Sequence, residues 1–165
     1  MPHRSHYQMA DTVGDGSGTI NAVGDYSSAS AELKVQCGAH EHIQCHRVIV
    51  LIEDAGPMSA DDYGGISALT NGVECYVKDR AGAINYRMTD TNFPIKSNLQ
   101  WSAYCHDVKE INFGSGNDAV SVRWTFAKSG GPVSLKPGWS LNFLCQDNFS
   151  GIVTHLFQVQ GMVYT

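Results

Sequence analysis

Charge is scarce in this chain. Asp, Glu, Lys and Arg make up only 16% of its 165 residues, against ~25% in an average globular domain. The 11 Lys and Arg are outnumbered by 16 Asp and Glu, giving a net charge of −5. Affinity for nucleic acid comes largely from cations that neutralise phosphates, so a nucleic-acid partner is not expected. Long apolar runs are also missing. The longest aliphatic stretch, Val48–Ile52, is far short of the ~20 residues that cross a bilayer as a helix. No apolar segment follows Met1-Pro-His-Arg-Ser-His6, so neither a secretory signal nor a membrane partner is expected. Leucine is sparse as well: 8 Leu stand against 23 Ile and Val, beside 17 Gly. Branched aliphatics with frequent glycine suit strands and tight turns better than helices.

Hydrophobic residues make up 42% of the chain, enough for a core, and a chain of this length forms one domain. Residues 1–30 are polar and rich in Gly, Ser and Ala, with no sustained periodicity. They read as an extended N-terminal arm with little core of its own, and residues 31–165 as the folded domain. Strand patterns begin with Leu33, Val35 and Cys37 alternating with Lys34 and Gln36. Ile43–Glu53 follows, apolar on both faces from Arg47 to Ile52, as a covered central strand. Residues 53–65 are dense in turn-forming residues and read as a long loop. Val73–Lys78 and Ala83–Met88 flank a turn at Asp79–Gly82 and make a hairpin. Asn98–Asp107 is the one stretch with short-helix character, capped by Asn98. Val120, Val122, Trp124 and Phe126 alternate with polar residues, as do Leu141, Phe143 and Cys145. A turn at Gln146–Gly151 leads into a last strand over Ile152–Tyr164. The expected fold is all-β: one antiparallel β-sandwich or jelly roll of about eight strands, preceded by the arm.

Catalytic signatures are few. No Gly-x-Ser-x-Gly elbow occurs. Cys105, His106 and Asp107 are sequence neighbours, and adjacent strand residues point to opposite faces. Glu53-Asp54 and Asp61-Asp62 are carboxylate pairs whose simplest role is loop solvation and turn formation. Five cysteines, at 37, 45, 75, 105 and 145, are odd in number and widely spaced. They read as small buried hydrophobes rather than a disulfide framework. Cys37-Gly-Ala-His40-Glu-His42-Ile-Gln-Cys45-His46 holds residue types that bind zinc, and His40, His42 and His46 are the candidate ligands. The spacing matches no paired structural-zinc pattern, and a solvated turn between strands accounts for it equally. No metal or cofactor is therefore assigned. Asp15-Gly-Ser-Gly-Thr-Ile20 resembles part of a calcium loop, but Val13 and Gly24 stand where the anchoring carboxylates belong. Gly14–Gly18 lacks the Lys and Ser/Thr of a phosphate loop. Asn148-Phe-Ser150 is a formal glycosylation sequon best read as turn. Trp101, Trp124 and Trp139 with Phe126, Phe143 and Phe157 fill a core by default, Trp139 being the one expected at a loop tip.

Several stretches bring a family to mind: Tyr63–Gly72, Pro94–Trp101, Val122–Phe126, Asp147–Ile152 and Gln158–Gly161. Across residues 43–164 the chain resembles small virion structural proteins of tailed bacteriophages. The resemblance implies a jelly-roll-like component without catalytic residues, such as a decoration, or cement, protein on the capsid exterior. Its partners would be the major capsid protein and further copies of itself, as a trimer. Asp11, Ile20 and Tyr26 of the arm, with Trp139, are the expected partner-contacting residues, and the body is expected to fold without residues 2–30. Two other readings are a tail or receptor-binding component touching a host glycan through Asp54–Gly65 or Trp139, and a small metal-dependent enzyme built on the histidines.

Overall fold

The computed structural model describes residues 3–56, 71, 73–87, 105–112, 118–126 and 131–165. Among them are ten strands: β1 (His3–Met9), β2 (Ala31–Gln36), β3 (His42–Glu53), β4 (Val73–Lys78), β5 (Ile84–Arg87), β6 (Cys105–Asn112), β7 (Asp118–Thr125), β8 (Val133–Leu135), β9 (Ser140–Cys145) and β10 (Thr154–Tyr164). They form two antiparallel sheets. The larger runs β1-β10-β3-β7-β6, with β8 also paired to β3; the smaller runs β2-β9-β4-β5.

Alternation explains which face of each strand is covered. Val120, Val122 and Trp124 of β7 are buried while Ser121, Arg123 and Thr125 are not. Leu33 and Val35 of β2, Leu141, Phe143 and Cys145 of β9, and Phe157, Val159 and Val163 of β10 turn the same way. These side chains meet in one hydrophobic cluster drawn from both sheets, so the architecture is that of a β-sandwich. Phe143 of the smaller sheet stacks on Phe157 of the larger at 4.7 Å between ring centroids.

The histidine next to that stack ties the N-terminal segment to the core. His155 on β10 is fully buried, with its ring 4.8 Å from both Phe149 and Phe157. Its Nδ1 lies 3.2 Å from the Ala22 carbonyl oxygen, and its backbone N–H donates to Asn21 Oδ1 at 2.7 Å. Burial depresses the imidazole pKa to about 4, so the ring is neutral at neutral pH.

Residues 3–30, expected as an extended arm, run against the sandwich. β1 pairs with β10 over seven residues, from His3↔Tyr164 to Met9↔Gln158. The chain then runs along the sandwich through isolated bridges, Asp11↔Lys34, Asn21↔Leu156 and Asp25↔Asn148. Ala10 and Ala22 belong to the core. A polar composition concealed this because the stretch contributes backbone pairing and small residues rather than bulky apolar ones.

Two further expectations change. Cys105–Asp107, expected at the end of a short helix, opens strand β6; residues 98–104 lie outside the described residues. The count exceeds eight because β1, β6 and the three-residue β8 carry no clear alternation in the sequence. The hairpin β4–β5 matches expectation, its turn capped by Asp79, whose Oδ1 accepts from the N–H groups of Ala81 and Ala83.

Two outcomes follow from this packing. Deleting residues 1–26 removes an edge strand and two core residues, so the truncated chain should lose its cooperative thermal transition, as followed by circular dichroism. Lowering the pH should also weaken the fold. The unfolded chain binds a proton at His155 near pH 6.5 and the folded chain only near 4. Stability is thus complete above about 6.5 and declines as pH falls towards 4, by about 3 kcal/mol from this group. Denaturant titrations from pH 7 to 4 should show this slope, and His155→Phe should flatten it.

Candidate functional site

Strand β3 carries an irregularity that shapes one part of the surface. Arg47 pairs with Gln160 and Cys45 with Gly161, leaving His46 between them without a partner on β10. Two residues of β3 thus oppose one of β10, which is a β-bulge. On its other side β3 pairs with β7 from Arg47 onward and with β8 up to Cys45. His46 therefore sits where the strand changes partners on one flank and slips register on the other.

The bulge shifts the alternation by one. Ile43 and Cys45 face the core, as do Val48, Val50 and Ile52, while His46 and Arg47 between them are both only half-buried. The pair lies side by side in a depression of about 530 Å³ on the outer face of the larger sheet. Its lining includes Tyr7 of β1, Gln160 and Met162 of β10, and Thr125 of β7. Gly161 makes the bulge possible: an added Cβ would collide with the Gln44 carbonyl oxygen and stand 2.9 Å from its carbon.

The electrostatics of this depression are uneven. Arg47 donates from Nη1 to Gln160 Oε1 at 3.2 Å. Its Nε and the neighbouring His46 Nε2 are buried with no hydrogen-bond partner. No acidic side chain is among the lining residues. A second depression, of about 350 Å³, lies over the smaller sheet. There Lys78 is paired with Glu32 at 2.7 Å, and the fully buried Asn142 donates to the Ser140 carbonyl at 3.0 Å.

The residues singled out from the sequence fall elsewhere, apart from His46. His40 is exposed in the turn before β3, and His42 is exposed at the strand's first position. Four residues of strand, about 13 Å, separate His42 from His46, too far for a shared ion. Among the described residues no group of three or more His, Cys, Asp and Glu is placed to hold a metal ion. Cys37, Cys45, Cys75 and Cys145 are all buried. Burial pushes the Cys37 thiol to about 11, those of Cys45 and Cys145 to about 12, and that of Cys75 well above its ordinary value. None of the four is a thiolate at neutral pH, so none is a ready nucleophile.

The expected partner-contacting residues need correction. Asp11 is fully buried, and its Oδ1 accepts from the Gly14 N–H, so it holds its own loop rather than a partner. Tyr26 packs against the core, with its ring 6.3 Å from Phe149 and its hydroxyl donating to the Val23 carbonyl. Trp139 is also packed against the core, with Lys136 Nζ 5.0 Å from its ring, and is not an exposed tip. Ile20 is half-buried in a loop, and Tyr26 and Trp139 are half-buried as well. The Asp15 and Asn148 side chains each cap a turn, through Ser17 and Ser150 respectively. Glu53 accepts from the Thr154 hydroxyl and Asp54 from the Ala55 N–H. Trp101 and Asp61-Asp62 lie outside the described residues.

Arg47 escaped the sequence reading because it stands at the head of an apolar run. The usable signal was the jump from odd to even apolar positions, Ile43 and Cys45 and then Val48, Val50 and Ile52. Gly161→Ala should destabilise the protein by about 1–3 kcal/mol, measured by chemical denaturation, and should move the backbone resonances of Gln44–Arg47.

No protein-family model matches the chain, and no curated protein is significantly similar to it.

Proposed function

We propose that this protein is a non-enzymatic virion structural component, a capsid decoration protein with a jelly-roll-like body that binds the major capsid protein on the capsid exterior and associates with its own copies as a trimer. The observation that carries this reading is the free edge of β1. Among the described residues this strand is paired to β10 on one side only and ends the larger sheet. An open edge presents unpaired N–H and C=O groups that another chain can extend. Monomeric proteins blunt such edges with charge, proline or brevity. The other sheet ends are treated in that way: β6 carries Asp107, Lys109 and Glu110, β2 carries Glu32 and Lys34, and β5 has four residues. By contrast β1 is seven residues long, has one Arg and contains no Lys or Pro. Its Tyr7 is 53% exposed. Strand addition at β1, onto the shell or a second copy, uses the backbone and needs no catalytic residue or cofactor.

The reading is tested by counting this chain in purified particles against the major capsid protein, using quantitative mass spectrometry. Hundreds of copies are expected. Copies in low double digits or fewer, or absence from the particle, would overturn it. Ser5→Lys, at an exposed edge position, should leave the fold intact and sharply lower capsid occupancy. Unchanged occupancy would remove β1 as the contact.

A further inference from the structure

We infer that the depression at the β3 bulge is a binding site for a carboxylate-bearing sugar residue, of the uronic or sialic acid kind, held by the Arg47 guanidinium. The inference does not depend on the virion reading, which uses the backbone edge of β1, whereas this one uses side chains on the face of the larger sheet.

The bulge brings a cation to a place without a countercharge. Arg47 donates to a neutral amide, and among the described residues no carboxylate lines the depression. A guanidinium offers five donors in a planar fork that matches a carboxylate, and charge-assisted pairs of this kind are the strong ones. His46 Nε2 and Arg47 Nε, on consecutive residues, are buried and have no hydrogen-bond partner among the described residues. Buried polar atoms without partners are uncommon in folded proteins, and here two fall on consecutive residues of a bulge, a feature often found beside functional sites. Gln160 acts as a positioning residue: its Oε1 accepts from Arg47, which leaves its amide N–H groups for a ligand.

The surrounding groups narrow the ligand to a sugar. Thr125 and Tyr7 add hydroxyls beside the Gln160 amide, and the Tyr7 ring and Met162 add apolar surface. One guanidinium, two imidazoles (His6 and His46), several hydroxyl and amide groups and an apolar wall suit a ligand with one carboxylate, many hydroxyls and a C–H face. The volume of about 530 Å³ falls among small-molecule sites of roughly 300–1,000 Å³. The lining side chains come from β1, β10, β3 and β7 across the sheet face.

The test titrates the full-length protein with glucuronic acid, N-acetylneuraminic acid, glucose and a blocked glutamate, followed by amide chemical shifts. One of the two acidic sugars should bind saturably, with shifts at His46, Arg47, Thr125 and Gln160, and glucose at least about tenfold more weakly. Arg47→Gln should weaken that binding about tenfold or more, while Lys78→Gln on the opposite sheet should not. If Arg47→Gln does not fold, Arg47→Lys, which keeps the charge and loses the fork, should still weaken it. Equal binding of glucose, equal binding of the blocked glutamate, shifts elsewhere, affinity indifferent to Arg47, or no binding of either acidic sugar would each overturn the assignment.

Discussion

A neutral imidazole wedged between aromatic rings is the contact on which most of this fold depends. His155 lies against Phe149 and Phe157, and Phe157 stacks on Phe143 across the sandwich. Aromatic pairs contribute beyond the area they bury, about 0.5–1.5 kcal/mol each. A buried histidine needs a hydrogen bond as well, because an unpaired polar group in a core costs about 1–3 kcal/mol. Ala22 supplies it through its carbonyl, and Asn21 fixes the neighbouring backbone N–H. The polar N-terminal segment is thus required by the core chemistry. Without residues 21–22 the imidazole would lose the Ala22 carbonyl.

The same segment explains how a chain with so little charge and so few leucines closes its sandwich. Tyr26 donates its backbone N–H to the Asp147 carbonyl, and the Phe149 N–H donates back to the Gly24 carbonyl. Phe149 is held at the core by backbone pairing on both sides, and that places it against His155. Higher up, Asp11 exchanges backbone hydrogen bonds with Lys34 of β2, while the Ala10 N–H donates to the Phe157 carbonyl of β10. β2 belongs to the smaller sheet and β10 to the larger. Residues 10–11 therefore link the two layers with consecutive peptide groups, where large side chains would otherwise be needed.

What could be read from the sequence follows from where apolar alternation carries information. β2, β7 and β10 alternate in burial along much of their length against a single core, and their placement was legible. β1 has no such signal: it lies at an edge, its residues are polar, and its stability comes from pairing with β10. Trp139 misled because a Pro-Gly turn suggests an exposed tip, whereas the turn folds its ring back onto the core. The His/Cys segment misled in a different way. Residue type suggested a metal, but the strand spreads His42 and His46 apart and turns Cys45 inward. The bulge was visible only as a parity shift, and period-2 reasoning discards a parity shift when the run is apolar on both faces.

The bulge could be inserted only at a particular point of β3. An extra residue within a central strand breaks the ladder on both flanks, which leaves backbone groups unpaired. At His46 one flank is already interrupted, because β7 ends its pairing at Arg47 and β8 begins at Cys45. The other flank closes through Gly161, whose missing side chain lets β10 approach Gln44. The insertion thus disturbs little pairing, and the two side chains it turns outward stand on rigid strands. A site built in this way has its geometry set by the sheet, since the hydrogen-bond registers to either side of His46 leave Arg47 no freedom to slide. Its chemistry is then decided by what the outer face brings alongside, and the Gln160 amide, rather than a carboxylate, is what lies next to the guanidinium.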